Sequence, residues 1–149
     1  MTIDNHDLLL EHFLNPRNVG EIPDADGVGA VGDPACGDYF KVWIKVENGR
    51  LAQVKFKVRG CPAAIAACSM MTELTTGLSV DEAYELDDLA IMHALGGMPE
   101  TKQHCSNHAA AALREAIIDY VFRRTKPTDT EPTTDGRGAP MSPMAGEPQ

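Results

Sequence analysis

The strongest constraint on the fold of this chain is a pair of alternating segments joined by Asn48-Gly49. Apolar and polar residues alternate over residues 39–46 and again over residues 51–58. The residues predicted to face the core are Phe40, Val42, Ile44, Val46, Ala52, Val54, Phe56 and Val58. Asn-Gly favours a two-residue turn because both central positions need a positive φ. The pattern therefore predicts a β-hairpin, with Trp43 on an opposite face that we expect to be covered.

Helices are predicted on both sides of this hairpin. A short helix over residues 4–14 ends before Pro16, and we expect His6 and His12 on its exposed side. Residues 20–37 are predicted to be loop with one short strand near residues 28–31. Later helices are predicted from Pro62 to before Gly77, from a capping box at Ser79 and Glu82, from Asp87 or Asp88 to Gly96-Gly97, and from about Cys105 to Arg124.

This order of elements predicts an α+β fold, in which helices pack on one face of a small antiparallel three-stranded sheet. We expect one domain over residues 1–124. Residues 125–149 contain five of the ten prolines and no aromatic residue. A segment of that composition buries too little apolar surface to fold, so a disordered tail is predicted.

Composition narrows the function classes. The net charge of -9 argues against a nucleic-acid surface. No apolar run approaches the ~18 residues of a membrane helix, and the polar N-terminus does not resemble a signal peptide. Four cysteines without a secretory signal predict a cytoplasmic protein, in which metal or catalytic roles outrank disulfides.

Three distant stretches offer the candidate ligands Cys36, Asp38, Cys61, His104 and Cys105. Such a set suits zinc or an iron–sulfur cluster. Cys61 and Cys105 fall near helix starts, where the helix dipole favours thiolate. Spacing alone leaves a metal site and inert buried thiols equally open.

Two other residues need separate treatment. Cys68 is expected to be an inert residue in a helix interior, because unpaired cysteines are commonly buried. His108 follows His104 by one helical turn. It is either a second metal-facing imidazole or a partly exposed helix residue, and the sequence favours the second interpretation.

Four stretches resemble the U-type iron–sulfur cluster assembly scaffolds, the IscU proteins and the N-terminal domain of NifU. They are NPRNVG at residues 15–20, GDPACGD at 32–38, GCPAAIA at 60–66 and KQHCS at 102–106. The four stretches occur in the family's order, and the similarity covers about residues 8–124. Four motifs in register make this resemblance specific.

The resemblance implies a site and a function. Cys36, Cys61 and Cys105 match the family's three cysteines, Asp38 its cluster-labilising carboxylate, His104 its histidine ligand and Lys102 a lysine of the same loop. The fourth ligand stays open between Asp38 and His104. The family is a non-enzymatic scaffold that binds iron and takes sulfur from a cysteine desulfurase of the IscS or NifS type. It builds a [2Fe–2S] cluster, passes it to apo iron–sulfur proteins, and also binds zinc when isolated.

Two sequence differences, one from the IscU proteins and one from the SufU proteins, affect the predicted partners and the alternative function. The Leu-Pro-Pro-Val-Lys segment that a dedicated Hsp70 chaperone recognises in IscU proteins is not matched, because Met98-Pro99-Glu100-Thr101-Lys102 stands there. The alternative is a zinc-dependent sulfur acceptor of the SufU type. Those proteins carry an insertion between the second and third ligand segments and lack the histidine, so His104 favours a cluster scaffold.

Overall fold

A computed structural model describes residues 5–32 and 38–125 of the chain. The helices are α1 (Asn5–Leu14), α2 (Pro62–Thr75), α3 (Val80–Tyr84), α4 (Asp88–Ala94) and α5 (Gln103–Thr125). The strands are β1 (Gly27–Gly32), β2 (Tyr39–Glu47) and β3 (Arg50–Arg59), and a 3₁₀ turn spans Glu100–Lys102. Thr125, which was predicted to begin the tail, is instead the last residue of α5, and the rest of the predicted tail lies outside the described residues. Among the described helices, none has the length and apolarity to cross a membrane.

The sheet has the order β1-β2-β3 with both pairs antiparallel, which confirms the predicted α+β class. The hairpin turns at Asn48 and Gly49, whose φ angles are 55° and 74°. One predicted core residue was wrong, because Ala52 is exposed and Leu51 is buried. The register passes from Lys45↔Gln53 to Val46↔Leu51, so Ala52 is an extra residue in β3. Because a bulge adds one residue to one strand, the residues on its two sides no longer follow a single alternation between the faces of the sheet.

The helices pack on one face of the sheet, as predicted. Phe40, Val42, Ile44 and Phe56 join one buried cluster with the alanines of α2 and α5. The close approach of α5 to β1 depends on Gly29, where an added Cβ would lie 2.2 Å from the Ala116 nitrogen. A helix seated this closely on the sheet edge has little freedom to shift. It therefore fixes where the first turn of α5 lies.

The other face of the sheet is covered by the segment that leads into β1. Val19 pairs with Phe56 at the outer edge of β3. Farther along, Glu21 bonds to Lys57 and Asp24 to Lys45, so the segment crosses the sheet. Ile22 and Trp43 are only 5% and 8% exposed. The expectation that the Trp43 face is covered is confirmed, and the cover is the chain itself.

One prediction about helix α1, the exposure of His12, was wrong. His12 was predicted to be exposed but is buried, with Nδ1 2.7 Å from the Ser69 hydroxyl of α2. The residue follows Leu9 by three positions, which places it on the packed face of the helix. The Arg17 backbone N–H also donates to the Ser69 hydroxyl, at 2.9 Å. The side chain of His6 lies outside the described residues.

Candidate functional site

Four candidate ligands meet at one end of the sheet, and we call Asp38, Cys61, His104 and Cys105 the ligand cluster. Tyr39 pairs with Arg59, so the start of β2 lies beside the end of β3. This register places Asp38 next to Gly60, where an added Cβ would lie 3.1 Å from Asp38 Oδ1. Glycine before Cys61 therefore leaves room for the carboxylate.

The other members of the cluster come from two helix starts. Cys61 is the N-cap residue of α2, in extended backbone ahead of Pro62. His104 and Cys105 lie in the first turn of α5, so Cys105 is the third helical residue rather than the first. The preceding segment is tied to this turn, because Ser106 donates a hydrogen bond to Met98 Sδ at 2.8 Å. Three separate elements thus supply the cluster.

Three of the donor atoms, those of Asp38, His104 and Cys105, are close enough together to bind one ion, and the Cys61 sulfur adjoins the Cys105 sulfur. Cys61 Sγ lies 3.8 Å from Cys105 Sγ, and Cys105 Sγ lies 3.7 Å from His104 Nε2. His104 Nε2 in turn lies 3.8 Å from Asp38 Oδ2. Ligand atoms at ~2.0–2.3 Å from a tetrahedral zinc ion are roughly 3.3–3.8 Å apart. The donor atoms of Asp38, His104 and Cys105 all lie within 4.8 Å of one another.

The two described thiols of the cluster differ in acidity. Burial, the neighbouring Cys61 sulfur and the Asp38 carboxylate raise the pKa of Cys105 to about 12. Burial also works to raise the pKa of Cys61, but the Ala64 and Ala63 backbone N–H groups, the Cys105 thiol and the Lys102 charge together lower it. Cys61 is therefore the more acidic thiol of the pair, and its sulfur lies in S–H···S contact with Cys105.

The structure places most of the predicted site residues. Asp38, Cys61, His104 and Cys105 come together as the ligand cluster, and Lys102 contributes its charge from the 3₁₀ turn. Cys36 lies outside the described residues, so its role as a ligand stays a prediction. Cys68 is fully buried in α2, as expected, and burial raises the pKa of its thiol far above the ordinary value.

His108 is a partly exposed residue of α5, as the sequence analysis favoured, and it lies beside His104. Its ring centroid lies 5.7 Å from that of His104 and 5.3 Å from that of Phe40. Its Nδ1 atom is buried and has no hydrogen-bond partner among the described residues. The spacing of four residues from His104 was the signal that pointed to this pair.

Comparison with known proteins defines the class of protein to which this fold and site correspond. The family described as the NifU-like N-terminal domain matches residues 4–127. The chain belongs to this family, which confirms the resemblance seen in its motifs.

Named relatives are similar over most of their length. The iron-sulfur cluster assembly scaffold protein IscU 1 of Archaeoglobus fulgidus is 52% identical over 123 residues, covering 83% of this chain and 80% of the relative. The iron-sulfur cluster assembly enzyme IscU of Drosophila melanogaster is 45% identical over 125 residues, with coverage of 81% and 80%. A solved NifU-like N-terminal structure from Brucella abortus shares the fold, with a TM-score of 0.62, 19% identity and coverage of 78% and 93%.

Proposed function

We propose that this protein is a scaffold for the assembly of iron–sulfur clusters. The single observation that carries the proposal is the ligand cluster, in which three elements bring two thiols, an imidazole and a carboxylate within 3.7–3.8 Å steps of one another. Its family membership and the names of its relatives support the same role. One relative is named an assembly enzyme and another a scaffold protein. We propose holding and release of a cluster as the role of this chain.

The cluster is cargo rather than a resident group. We propose a [2Fe–2S] cluster held by Cys61, Cys105 and the predicted ligand Cys36, with Asp38 or His104 as the fourth ligand. An oxygen or nitrogen donor binds iron less firmly than a fourth thiolate. The mixed donor set therefore favours release to an acceptor. The same donors suit zinc, which we expect the isolated protein to bind.

Sulfur delivery requires a thiolate on the scaffold. The proposed donor is a cysteine desulfurase that carries a persulfide. A scaffold thiolate attacks the outer persulfide sulfur, a new S–S bond forms, and the donor cysteine leaves as thiolate. The pKa of Cys61, which neighbouring N–H groups lower from its ordinary value, and the positive charge of Lys102 support this chemistry at the site. Apo iron–sulfur proteins are the proposed recipients of the finished cluster.

Anaerobic reconstitution tests the proposal. The full chain is incubated with ferrous iron, cysteine and a cysteine desulfurase, and followed by visible absorption and Mössbauer spectroscopy. We expect a [2Fe–2S] spectrum and transfer of the cluster to apo-ferredoxin. A colourless protein that keeps stoichiometric zinc and accepts only persulfide would instead establish the zinc-dependent sulfur acceptor. Cys68→Ala serves as the control, because it removes a thiol that lies outside the ligand cluster.

A further inference from the structure

His104 and His108 form a pair of imidazoles on one face of α5. The residues are four positions apart, and their ring centroids are 5.7 Å apart at an interplanar angle of 74°. The His108 ring also meets the edge of Phe40, which is fully buried. Two histidines at this helical spacing can bind one zinc ion, as in the zinc-binding helix of metalloproteases. Contact with Phe40 limits the rotation of the His108 ring.

The buried nitrogen of His108 is a second and independent observation. His108 Nδ1 has no hydrogen-bond partner in the described part of the chain, although solvent does not reach it. A buried polar atom without a partner costs about 1–3 kcal/mol. The His108 residue as a whole is only half-buried, so an ion can approach the ring from solvent, and an unpaired nitrogen beside the candidate ligand His104 is explained if the ring binds that ion.

The position of the pair relates it to the ligand cluster. His104 Nε2 already lies 3.7 Å from Cys105 Sγ and 3.8 Å from Asp38 Oδ2. Neither Cys61 nor His108 belongs to the set of three residues whose donor atoms all lie within 4.8 Å of one another. Cys61 is linked to that set through the Cys105 sulfur at 3.8 Å, whereas His108 is linked to it through the ring of His104. The pair instead makes an adjoining position that shares His104 with the ligand cluster.

We propose that His104 and His108 form a loading position for a divalent metal ion, ferrous iron or zinc, beside the ligand cluster. Imidazole nitrogen binds both ions. The ion then moves inward while His104 stays bound: the bond from the metal to His108 nitrogen breaks, a bond to a cysteine sulfur forms, and the thiol proton leaves to water. The metal keeps its oxidation state throughout. The role of this position in cluster assembly rests on the proposed scaffold function, but the binding of a metal ion by the two histidines does not.

Loading kinetics give the first test. His108→Phe keeps a ring against Phe40 and removes both nitrogens, and His108→Gln keeps a polar side chain without the ring. Co²⁺ is mixed anaerobically with each full-length protein in a stopped-flow instrument, and the sulfur-to-cobalt charge-transfer band is followed. We expect both variants to slow the appearance of the band by about tenfold while its final intensity is unchanged. His93→Gln, at an exposed histidine of α4, should match the wild-type rate. Equal rates in all four proteins would overturn the proposal.

A direct test identifies the ligands. The ring ¹⁵N resonances are recorded during a zinc titration of the Cys61→Ser/Cys105→Ser variant, in which the thiolates of the ligand cluster are absent. We expect the resonances of His104 and His108 to shift together, with those of His93 unmoved. A shift of His104 alone would overturn the loading position. Neither test uses a desulfurase or sulfide, so failure of the scaffold function would be seen separately, as a wild-type protein that forms no cluster on reconstitution.

Discussion

Two polar groups of this molecule lie in or beside its core, and they are built differently. The first, which we call the His12 cluster, joins α1 and the segment after it to α2, through His12 and Ser69 at 2.7 Å and through Asn18 and Thr72 at 2.9 Å. The second is the ligand cluster, in which neighbouring donors are 3.7–3.8 Å apart. Hydrogen bonds of the first group are of ordinary length. In the second group two separations are weak contacts of sulfur, and the third, between His104 Nε2 and Asp38 Oδ2, is longer than a hydrogen bond between nitrogen and oxygen.

The difference shows how the same kinds of atoms serve two purposes. In the His12 cluster the Ser69 hydroxyl accepts from the Arg17 backbone N–H while it bonds His12 Nδ1, so each buried group has a partner. In the ligand cluster no donor has such a short partner within the cluster, and the spacing suits a shared ion. Polar groups that satisfy one another hold the helices together, and polar groups held slightly apart are available to a ligand.

The largest effect that would test this contrast is the loss of cluster binding in Cys105→Ser. Cys105 is central to the ligand cluster, within 3.8 Å of Cys61 Sγ and 3.7 Å of His104 Nε2. Replacing its sulfur with a harder oxygen should reduce reconstituted cluster by about tenfold or more. Because Cys105 is fully buried, the new hydroxyl should also lower the free energy of unfolding by about 1–3 kcal/mol, which urea unfolding measures separately from cluster binding. The absorbance of the reconstituted cluster measures the first effect.

Cys68→Ala is the matched control for this substitution, since Cys68 is equally buried but lies inside α2. It should retain the cluster. A Cys105→Ser protein that binds a normal amount of cluster would remove Cys105 from the site. A Cys105→Ser protein that no longer folds would show that the ligand cluster is also structural.

Ser69→Ala in the His12 cluster should lower the stability of the fold and leave the binding of the iron–sulfur cluster unchanged. Loss of the hydroxyl leaves His12 Nδ1 and the Arg17 N–H without this partner. We expect the free energy of unfolding to fall by about 2–3 kcal/mol, since an unsatisfied buried group costs about 1–3 kcal/mol and the Arg17 N–H, which is only part-buried, should contribute the low end of that range. Urea unfolding monitored by circular dichroism measures this, and the yield of cluster at low temperature should stay at the wild-type level.

Ser79→Ala provides a reference value for the loss of stability in Ser69→Ala. Ser79 forms a capping box with Glu82 at the start of α3, where solvent can replace the lost bonds. Its removal should cost about 1 kcal/mol. If Ser69→Ala were no more destabilising than Ser79→Ala, the His12 cluster would not have the structural role assigned to it.

A smaller, kinetic effect is expected at Asp38. Its carboxylate lies 3.8 Å from His104 Nε2 and is partly exposed. If this oxygen is the labilising ligand, Asp38→Ala should prolong the lifetime of the cluster several-fold and slow its transfer to apo-ferredoxin. Decay of the visible absorbance in the presence of a chelator measures the lifetime. Asp24→Ala is the control. It removes a carboxylate that pairs with Lys45 outside the ligand cluster, so it should behave as wild type. An unchanged lifetime in Asp38→Ala would assign the labilising role elsewhere.

Much of the fold followed from local signals. Asn48-Gly49 marked the hairpin, and Ser79 and Asp87 marked helix starts where their side chains do accept the expected N–H bonds. Spacing alone left the candidate ligands at even odds, and it was the resemblance of four motifs in register that singled out the residues which the structure brings together as the ligand cluster.

What the sequence did not reveal depends on contacts between distant residues. Burial of His12 follows from Ser69, which is 57 positions away. The exposure of Ala52 follows from a bulge that appears when β3 is paired with β2. Likewise, the burial of a His108 nitrogen could not be predicted without the distant residue Phe40, whose ring contacts that of His108. Periodicity identifies a helix face, but it does not show what packs against that face.

The smallest expected effect is a pH dependence of stability that belongs to the His12 cluster. Burial, with the nearby Arg17 charge, lowers the pKa of His12 below its ordinary value of 6.5, although Glu73 and Glu11 act in the other direction. The unfolded chain then binds a proton more readily than the folded chain. The contribution of His12 is therefore complete above about pH 6.5 and is lost as the pH falls below that value toward the lower pKa of the folded state.

Urea unfolding between about pH 5 and pH 7.5 measures this dependence in wild type and in His12→Asn. Asparagine places a hydrogen-bonding atom near the position of Nδ1 but does not titrate in this range. We expect the wild-type free energy of unfolding to decline on acidification and the variant to show a flatter profile. Parallel profiles would mean that His12 titrates alike in the folded and unfolded states, and the His12 cluster would then contribute hydrogen bonds but no sensitivity to pH.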